Sequence, residues 1–495
     1  MIDLLCVLLP LVLLSLLASA RCLRDYLRTI RLAFRLKGPP ALPILGNVLT
    51  INDFKKLEEY GTNASQMYGS IFRCWISIVP FIWVYEPNHL KIILGSSKIS
   101  RKNVFYSILH NFVGEGLITN NGYKWRKNRK HIQPYFHISI LESYIDVFLE
   151  NAHKFTSEFI KNGEGPVNIT SFINRCVLNT LHESILGVPV DDESPYRKGE
   201  VMLTQRIARP WLLLQSIFNL TPFAEKEYHQ KLSLHNYTRK VLEIRKKEYD
   251  KSSLRCLLDM FIEIAETNKD FSEEDMINEG VTFMLAGQDS VGAAIAFTLF
   301  FLAKHQEVQD KVYEEIDNLR TESMITVTQL NSMKYLEQVI KESLRLIPSV
   351  PILSRVLTED VNLDGEILGR GTNVFISPFI THRLPHYFPD PLKFDPDRFS
   401  QENVERMHPY SFIPFSIGPR NCIGYKFALL EIKTILSVFL KQFRITLAEG
   451  HENYSLSYRV TLRAKGGIWL QLHSRTQTSS TAESRHAEQR KPWNL

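Results

Sequence analysis

One short loop near the C-terminus constrains this chain more than any other stretch. Residues 414–424 read Pro-Phe-Ser-Ile-Gly-Pro-Arg-Asn-Cys-Ile-Gly and present one thiol, that of Cys422, between Gly418 and Gly424. Glycine permits positive φ and a close approach of the backbone to a flat ligand. The loop therefore predicts a fixed sulfur atom beside a large planar group.

Three roles are open to a thiol held in this way: a nucleophile, half of a disulfide, or an axial metal ligand. No second cysteine lies near Cys422 in sequence, which disfavours a redox pair or a local zinc site. Arg420 favours the charged thiolate and can also pair with an anionic ligand group. A small buried hydrophobic side chain is the alternative for an isolated cysteine. A thiolate ligand of haem iron would use both the turn and the arginine.

The pattern Phe415-x-x-Gly418-x-Arg420-x-Cys422-x-Gly424 resembles the haem-ligand motif of the cytochrome P450 monooxygenases, with no departure at its defining positions. The resemblance implies that Cys422 is the axial ligand of the iron of haem b. It further implies that Phe415 shields the thiolate and that Arg420 holds a haem propionate.

The composition is that of a globular protein with ample material for a core. The 495 residues are 44% hydrophobic and 23% charged, and the net charge of +6 is modest for this length. No basic block alternates with aromatic residues, so we predict no nucleic-acid partner. The chain has no Walker-type loop and no Gly-x-Gly-x-x-Gly, so electrons must come from another protein. The six cysteines are sparse and irregularly spaced, which indicates reduced thiols.

The N-terminal residues have the pattern of a membrane anchor. Residues 4–20 are almost wholly apolar, and six basic residues follow between positions 21 and 37. An apolar run of about 20 residues can span a bilayer, and the flanking positive charge keeps its C-terminal side in the cytosol. We therefore predict an uncleaved signal anchor in the endoplasmic reticulum membrane, with the catalytic domain facing the cytosol. A cleaved signal peptide is the alternative.

The sequence divides into four regions. Residues 1–20 are the predicted transmembrane signal anchor, and residues 21–43 are a basic linker that ends in a proline-rich hinge. Residues 44–473 form the predicted catalytic domain, and residues 474–495 form a polar tail that we predict to be disordered. The resemblance implies that the catalytic domain has the cytochrome P450 haem-thiolate fold, one large domain that is mainly α with a minor β region.

A long helix is predicted from Ser272 to about Ala303, beginning with a capping-box pattern and apolar on nearly all faces beyond Val281. A second membrane span is disfavoured because Asp289 interrupts it, and an unpaired carboxylate in lipid is costly. Gly287, in the middle of the helix, costs about 1 kcal/mol relative to alanine. We interpret its missing side chain as room for a ligand.

Residues 286–290, Ala-Gly-Gln-Asp-Ser, combine an acid and an alcohol that can relay protons. They resemble the oxygen-activation motif of P450s, which implies catalytic roles for Ala286, Gly287, Asp289 and Ser290. Ser290 replaces the usual threonine, so the hydroxyl is kept but its rotamer is freer. Family 4 P450s often carry, at the position of Ala286, a glutamate that can be ester-linked to haem. Alanine cannot form this link, so we predict non-covalent haem.

Three further residues bind the haem propionates if the resemblance holds. Trp125 and Arg129 are four apart on a predicted helix, where an indole N–H and a guanidinium can meet one carboxylate. Arg355, before a predicted β region, is expected to reach the other propionate. A solvated basic face is the alternative for the helical pair.

Another pair is expected to be structural. Glu342 and Arg345 form a Glu-x-x-Arg pattern that resembles the pair which, in P450s, joins an arginine of a later loop, here Arg398. A surface ion pair is the alternative.

Residues 208–223 are rich in tryptophan, leucine and phenylalanine. They are too short to span a bilayer but suit a segment at the membrane interface or the roof of an apolar pocket, with buried core as the alternative.

The resemblance to family 4 P450s implies an apolar substrate, such as a fatty acid or another lipid-like molecule. It implies that NADPH serves indirectly, through NADPH–cytochrome P450 reductase, with cytochrome b5 as a second donor. The donor is expected to meet a basic surface near Cys422 that includes Lys426 and Lys433. Two alternatives remain open on the sequence: a haem-thiolate isomerase or dehydratase, and a non-catalytic haem-binding protein.

Overall fold

The computed structural model describes residues 20, 23–47, 63, 66–162, 165–198, 206, 209–213, 215–250, 256–319, 325–458 and 460–475. The predicted anchor and the predicted tail lie outside the described residues, apart from residue 20 and residues 474–475. The described chain is mainly α with a minor β region, as the sequence predicts.

Helices build the larger part of the molecule and surround one extensive apolar core. Their bounds are α1 Pro87–Gly95, α2 Val104–Val113, α3 Gly122–Ile132, α4 Ile138–Leu141, α5 Ile145–Asn162, α6 Ile169–Leu181, α7 Gln215–Phe218, α8 Pro222–Glu248, α9 Leu257–Thr267, α10 Glu273–Lys304, α11 Gln306–Asp317, α12 Val327–Ser332, α13 Lys334–Leu346, α14 Pro378–Thr381, α15 Gln401–Arg406 and α16 Tyr425–Gln442.

The strands form small sheets at the margins of the helical core. Their bounds are β1 Ile71–Ile76, β2 Val79–Val84, β3 Pro166–Asn168, β4 Leu353–Val356, β5 Val361–Leu363, β6 Glu366–Leu368, β7 Asn373–Ile376, β8 Phe443–Leu447, β9 Leu456–Tyr458, β10 Leu462–Ala464 and β11 Trp469–Ser474. The largest sheet has the order β1-β2-β7-β4, in which only β2 and β7 are parallel. A second sheet has the order β3-β11-β8, and β5-β6 and β9-β10 are antiparallel pairs.

The helix α10 crosses the core over 32 residues, which confirms the long helix predicted from the sequence. Its start is fixed by the predicted capping box, because Ser272 Oγ accepts from the Asp275 N–H and the Asp275 carboxylate accepts from the Ser272 N–H. α10 is long and apolar enough to cross a membrane, but most of its apolar stretch is buried inside the protein. It is therefore a core helix.

The loop that carries Cys422 is shaped by Gly418. This residue has φ +80°, and a Cβ there would collide with the carbonyl oxygen of Leu94 at the end of α1. Only glycine satisfies both conditions. Gly424 differs, because its φ is −90° and a Cβ there would make only ordinary contact with Phe136.

The Glu-x-x-Arg pair is structural, as predicted. Glu342 and Arg345 on α13 are both fully buried and are joined by two hydrogen bonds of 2.6 and 2.8 Å. Arg345 also donates to the carbonyls of His382, Pro391 and Lys393. The Nε of Arg398 lies 3.6 Å from the Glu342 carboxylate. The pair thus fastens the long connection that leads to the cysteine loop.

Candidate active site

A cavity of about 370 Å³ lies between α10 and the cysteine loop. Apolar side chains from α2, α6, α10 and α16 line most of it. Cys422 and Phe415 border it on one side, and the motif at residues 286–290 borders it on another. The two chemical motifs of the sequence, which are more than a hundred residues apart, therefore face one space.

The backbone holds Cys422 firmly. Its N–H donates to the carbonyl of Phe415 at 2.8 Å, and the neighbouring Asn421 N–H donates to the carbonyl of Gly418 at 3.0 Å. Burial raises the pKa of the Cys422 thiol, while the Gly424 N–H and the charge of Arg129 oppose that rise. A cation or a metal that stabilises the thiolate would restore its ligand character.

The cation that acts on Cys422 is Arg129, whereas sequence reasoning chose Arg420. Arg129 lies on α3 and donates to the backbone carbonyl of Asn421 at 2.9 Å and to its side-chain oxygen at 2.7 Å. The helix α3 is thereby tied to the cysteine loop one residue before the thiol.

Arg420 turns away from the thiol toward other parts of the chain. It donates to the carbonyls of Ser100, Leu117 and Asn120, and its guanidinium lies 3.8 Å from the ring centroid of Trp125. The guanidinium still borders the cavity. Its partners lie about 300 positions earlier in the chain, where the sequence offers no signal of the contact.

Four cations gather beside the cavity: Lys102, Arg129, Arg355 and Arg420. Burial and mutual repulsion lower the pKa of Lys102 well below its usual range, and burial with the Arg355 charge lowers that of Arg420 to about 9. In the part of the chain that the structure describes, no aspartate or glutamate forms an ion pair with any of the four. A buried cluster of cations without acidic partners is costly unless an anion joins it.

The two propionates of haem fit this cluster, and the Cys422 thiol beside the cavity fits its iron. Trp125 is buried next to the cluster, and Arg355 is buried on β4 but is not part of the cavity wall. Lys102 was missed by sequence reasoning. Its Nζ donates to the carbonyl of Ile118 at 2.7 Å and lies 4.3 Å from the ring of Tyr106. No motif marks it, because a lone lysine before a helix is usually solvated.

Two residues of the motif on α10, Ala286 and Ser290, border the cavity. Ala286 is exposed to the cavity, and the Ser290 hydroxyl, beside it, donates to the Ala286 carbonyl at 2.7 Å. Gly287 has a second reason to lack a side chain, because a Cβ there would lie 2.9 Å from Leu181 of α6. The glycine thus makes room for a neighbouring helix as well as for the cavity.

Asp289 is held by a partner that sequence reasoning did not foresee. Its carboxylate accepts a hydrogen bond from Arg463 of β10, whose other amine donates to Asn174 at 2.9 Å. The acid therefore borders the cavity while its orientation is set by the hairpin of β9 and β10, whose residues Val460 and Thr461 also line the cavity.

A model of one protein family, described as Cytochrome P450, matches residues 36–469. The chain belongs to the cytochrome P450 family. The "Probable cytochrome P450 4aa1" of Drosophila melanogaster is 45% identical over 469 residues, which cover 92% of each chain. Cytochrome P450 4c3 of D. melanogaster is 35% identical over 90% of this chain and 91% of its own, and human Cytochrome P450 4V2 is 35% identical over 88% and 89%.

These relatives identify the P450 as one of the family 4 type and confirm the predicted class, a haem-thiolate monooxygenase. The family implies a haem cofactor, which agrees with the thiol and the cation cluster. The relatives therefore disfavour both alternatives, a haem-thiolate isomerase or dehydratase and a non-catalytic haem-binding protein.

The structure bears on two predictions about the surface of the P450, those for Lys433 and for the segment 208–223. Lys433 does not join the basic surface near Cys422, because it is buried on α16, where its Nζ binds Glu337 at 2.7 Å and the Leu330 carbonyl at 3.0 Å. The segment 208–223 is mixed in character: Trp211 and Leu220 are exposed, whereas Leu212 and Phe218 are buried. None of its described residues borders the cavity.

Proposed function

We propose that this P450 is a membrane-anchored monooxygenase that hydroxylates a long apolar molecule, such as a fatty acid. The proposal rests on one observation above all: a mostly apolar cavity has the Cys422 thiol on one side and the Asp289–Ser290 pair on another. An apolar cavity with a few polar groups binds an apolar ligand and orients it by those groups.

The residues have distinct roles in this proposal. Cys422 would ligate the haem iron. The propionates would be held by Arg129, Arg355 and Arg420, with Trp125 and the additional Lys102. Phe415 borders the cavity beside the thiol and shields it. When bound, haem b supplies reductive activation of O₂, in which one oxygen atom enters the substrate and the other leaves as water.

Proton delivery falls to the chain itself. The Ser290 hydroxyl is bonded to the Ala286 carbonyl and can pass a proton toward the cavity when it rotates. In this proposal Asp289, whose carboxylate is paired with Arg463, takes up a proton from solvent and passes it on toward Ser290. Because the pair with Arg463 fixes the acid, the geometry of this hairpin sets the efficiency of the relay.

The electron donor in this proposal is NADPH–cytochrome P450 reductase, with cytochrome b5 as a second donor. Reconstitution with dodecanoic acid, NADPH and the reductase tests both donor and substrate class. Hydroxylated product that requires all three supports the proposal. Turnover without reductase, or NADPH consumption that no fatty acid stimulates, would contradict it.

Haem is proposed to be non-covalent, because Ala286 faces the cavity where family 4 relatives often carry a glutamate. Extraction with acidified organic solvent should release all haem from the wild type. Ala286→Glu should retain a fraction after turnover. Haem retained by the wild type would contradict the proposal.

The anchor at residues 1–20 is proposed to hold the catalytic domain at the cytosolic face of the endoplasmic reticulum. The exposed side chains of Trp211 and Leu220 fit a surface that lies against lipid. Expression in a glycosylating cell tests the orientation, since a cytosolic domain remains unmodified. A glycan on any of the five acceptor asparagines would contradict this orientation. They are Asn63, Asn168, Asn219, Asn236 and Asn453.

A further inference from the structure

Residues 114–121 form one wall of the cavity, through Leu117 and Ile118. Leu117 is held at both of its backbone polar groups. Its N–H donates to the Glu279 carboxylate of α10 at 2.9 Å, and its carbonyl accepts from Arg420 of the cysteine loop at 3.3 Å. One residue of the wall thus connects the central helix to the loop that carries the thiol.

The wall packs closely against α10. A Cβ at Gly114 would collide with the side chain of Asn278, and one at Gly116 would collide with that of Thr282. Asn278 also accepts from the Glu115 N–H at 3.1 Å. The close approach leaves no space for water between wall and helix at these glycines, so the hydrogen bonds to α10 are made in a dry contact.

Glu279 is the charged member of this contact. It is fully buried, and its second oxygen accepts from the side-chain amide of Asn128 at 2.9 Å. Asn128 lies on α3 between Trp125 and Arg129, which are both assigned to the propionates. A single carboxylate therefore bonds the cavity wall and the propionate-binding helix at once.

Burial raises the pKa of Glu279 to about 7, and the two hydrogen bonds oppose the rise. Asp275, one turn earlier on α10, adds to the rise, and Lys124 of α3 opposes it. The other titratable groups around this region lie at its edges. They are Lys127 of α3, Glu115 of the wall and His235 of α8, together with Lys102 and Arg420, which donate to the carbonyls of Ile118 and Leu117.

We propose that Glu279 is a positioning residue whose hydrogen bonds hold the wall at residues 114–118 against α10 and so set how tightly the cavity closes on its ligand. The inference rests on the proposed function of this cavity as the haem and substrate site. Glu279 touches neither the thiol nor the alcohol, so it acts through Leu117.

The pH dependence of the contact follows from its dryness. Burial raises the pKa of Glu279, so the closed contact favours the neutral carboxyl, whereas the ionised form is favoured when the wall opens and water reaches it. The wall is therefore tightest below pH ~7 and loosens as the pH rises through that value.

Glu279→Gln separates charge from shape. Its amide oxygen can still accept from the Leu117 N–H. Its amide nitrogen can donate to the side-chain oxygen of Asn128, which has no partner among the described residues and becomes reachable when that amide rotates. Glu279→Ala removes both bonds. Glu431→Gln is the matched control, because Glu431 is another fully buried carboxylate but lies on α16.

The experiment measures amide hydrogen exchange of residues 114–121 in the haem-loaded protein near pH 6 and pH 8, corrected for intrinsic exchange. Phenylimidazole binding, read from the haem absorbance, is measured on the same samples. We expect the wild type to lose protection near pH 8 and, once binding is corrected for protonation of the free phenylimidazole, to bind the probe several-fold more weakly there. In Glu279→Gln the wall should be equally protected from exchange at both pH values. In Glu279→Ala it should exchange rapidly at both. Glu431→Gln should show the same change in wall protection as the wild type.

Wild-type protection of the wall in Glu279→Ala would overturn the proposal, as would an undiminished pH effect in Glu279→Gln or its loss in Glu431→Gln. These results are distinct from a failure of the proposed function. If the carbon-monoxide spectrum showed no thiolate ligand, the catalytic role would fall, while exchange of the wall would still report on Glu279.

Discussion

The carboxylate of Asp289 accepts a hydrogen bond from the guanidinium of Arg463, so the acid of the central helix is tied to the hairpin of β9 and β10. The partner is itself fixed by Asn174 of α6. Because Asp289 borders the cavity, this pair couples the position of a hairpin to the proton relay that we propose.

Replacing either member of this pair should slow product formation through the same step. We expect Asp289→Asn to lower kcat about a hundredfold, within the range for loss of a positioned acid. Arg463→Gln should lower it less, because the acid remains but is free to turn. The double variant should resemble Asp289→Asn alone, since the two act as one unit. Single-turnover rates with dodecanoic acid measure this, and additive losses would contradict the account.

Lys102 should hold haem although no motif marks it. Removing its charge weakens the attraction for a propionate, so Lys102→Met should release haem several-fold faster to an acceptor globin. Arg126→Gln is the matched control, because Arg126 is an exposed cation on α3 outside the cavity wall. Equal release rates for Lys102→Met and the wild type would show that the cluster does not bind the cofactor through this lysine.

The buried Glu342–Arg345 pair should matter for stability rather than for chemistry. Glu342→Ala leaves the buried charge of Arg345 without its acid, which typically costs about 3–5 kcal/mol. Glu402→Ala is the control, because Glu402 and Arg406 form a pair of the same kind on the exposed face of α15, worth at most about 1 kcal/mol. Denaturant unfolding compares the two, and equal losses would contradict the structural role.

Glu431 predicts a pH dependence of stability with a definite sign. It is fully buried, neither carboxylate oxygen has a partner among the described residues, and burial raises its pKa to about 8. This pKa lies above that of an exposed glutamate. The contribution of Glu431 to the free energy of unfolding is therefore greatest below about pH 4.5 and falls as the pH rises toward 8. The loss is on the order of 4 kcal/mol.

Glu431→Gln should therefore flatten the stability profile between about pH 5 and pH 8. Urea unfolding across this interval measures the slope. Glu279→Gln should flatten the profile over a narrower interval that ends near pH 7. A wild-type slope in Glu431→Gln would show that the pKa of this carboxyl is not raised in the folded protein.

Features that depend on local patterns were predictable from the sequence. The capping box at Ser272 and the apolar run behind it are enough to predict α10, because each is read within a few turns of helix. The spacing of the cysteine loop predicted the turn, and Gly418 does have the positive φ that the turn requires.

Features that depend on distant contacts were not predictable. Arg420 binds carbonyls some 300 positions earlier, and Asp289 binds Arg463, which is 174 positions later. The burial of Lys433 also escaped prediction, because its acidic partner lies on α13, and a lysine is usually assigned to the surface. One sequence contains no signal of which distant residues will meet.

The central claim is that Cys422 ligates haem iron from its place beside the cavity. The most direct test is the absorbance spectrum of the reduced, carbon-monoxide-bound protein, recorded beside Cys422→Ala. The account predicts a strongly red-shifted Soret band in the wild type and its loss in the variant. A band typical of histidine-ligated haem in the wild type, or an unchanged band in Cys422→Ala, would contradict it.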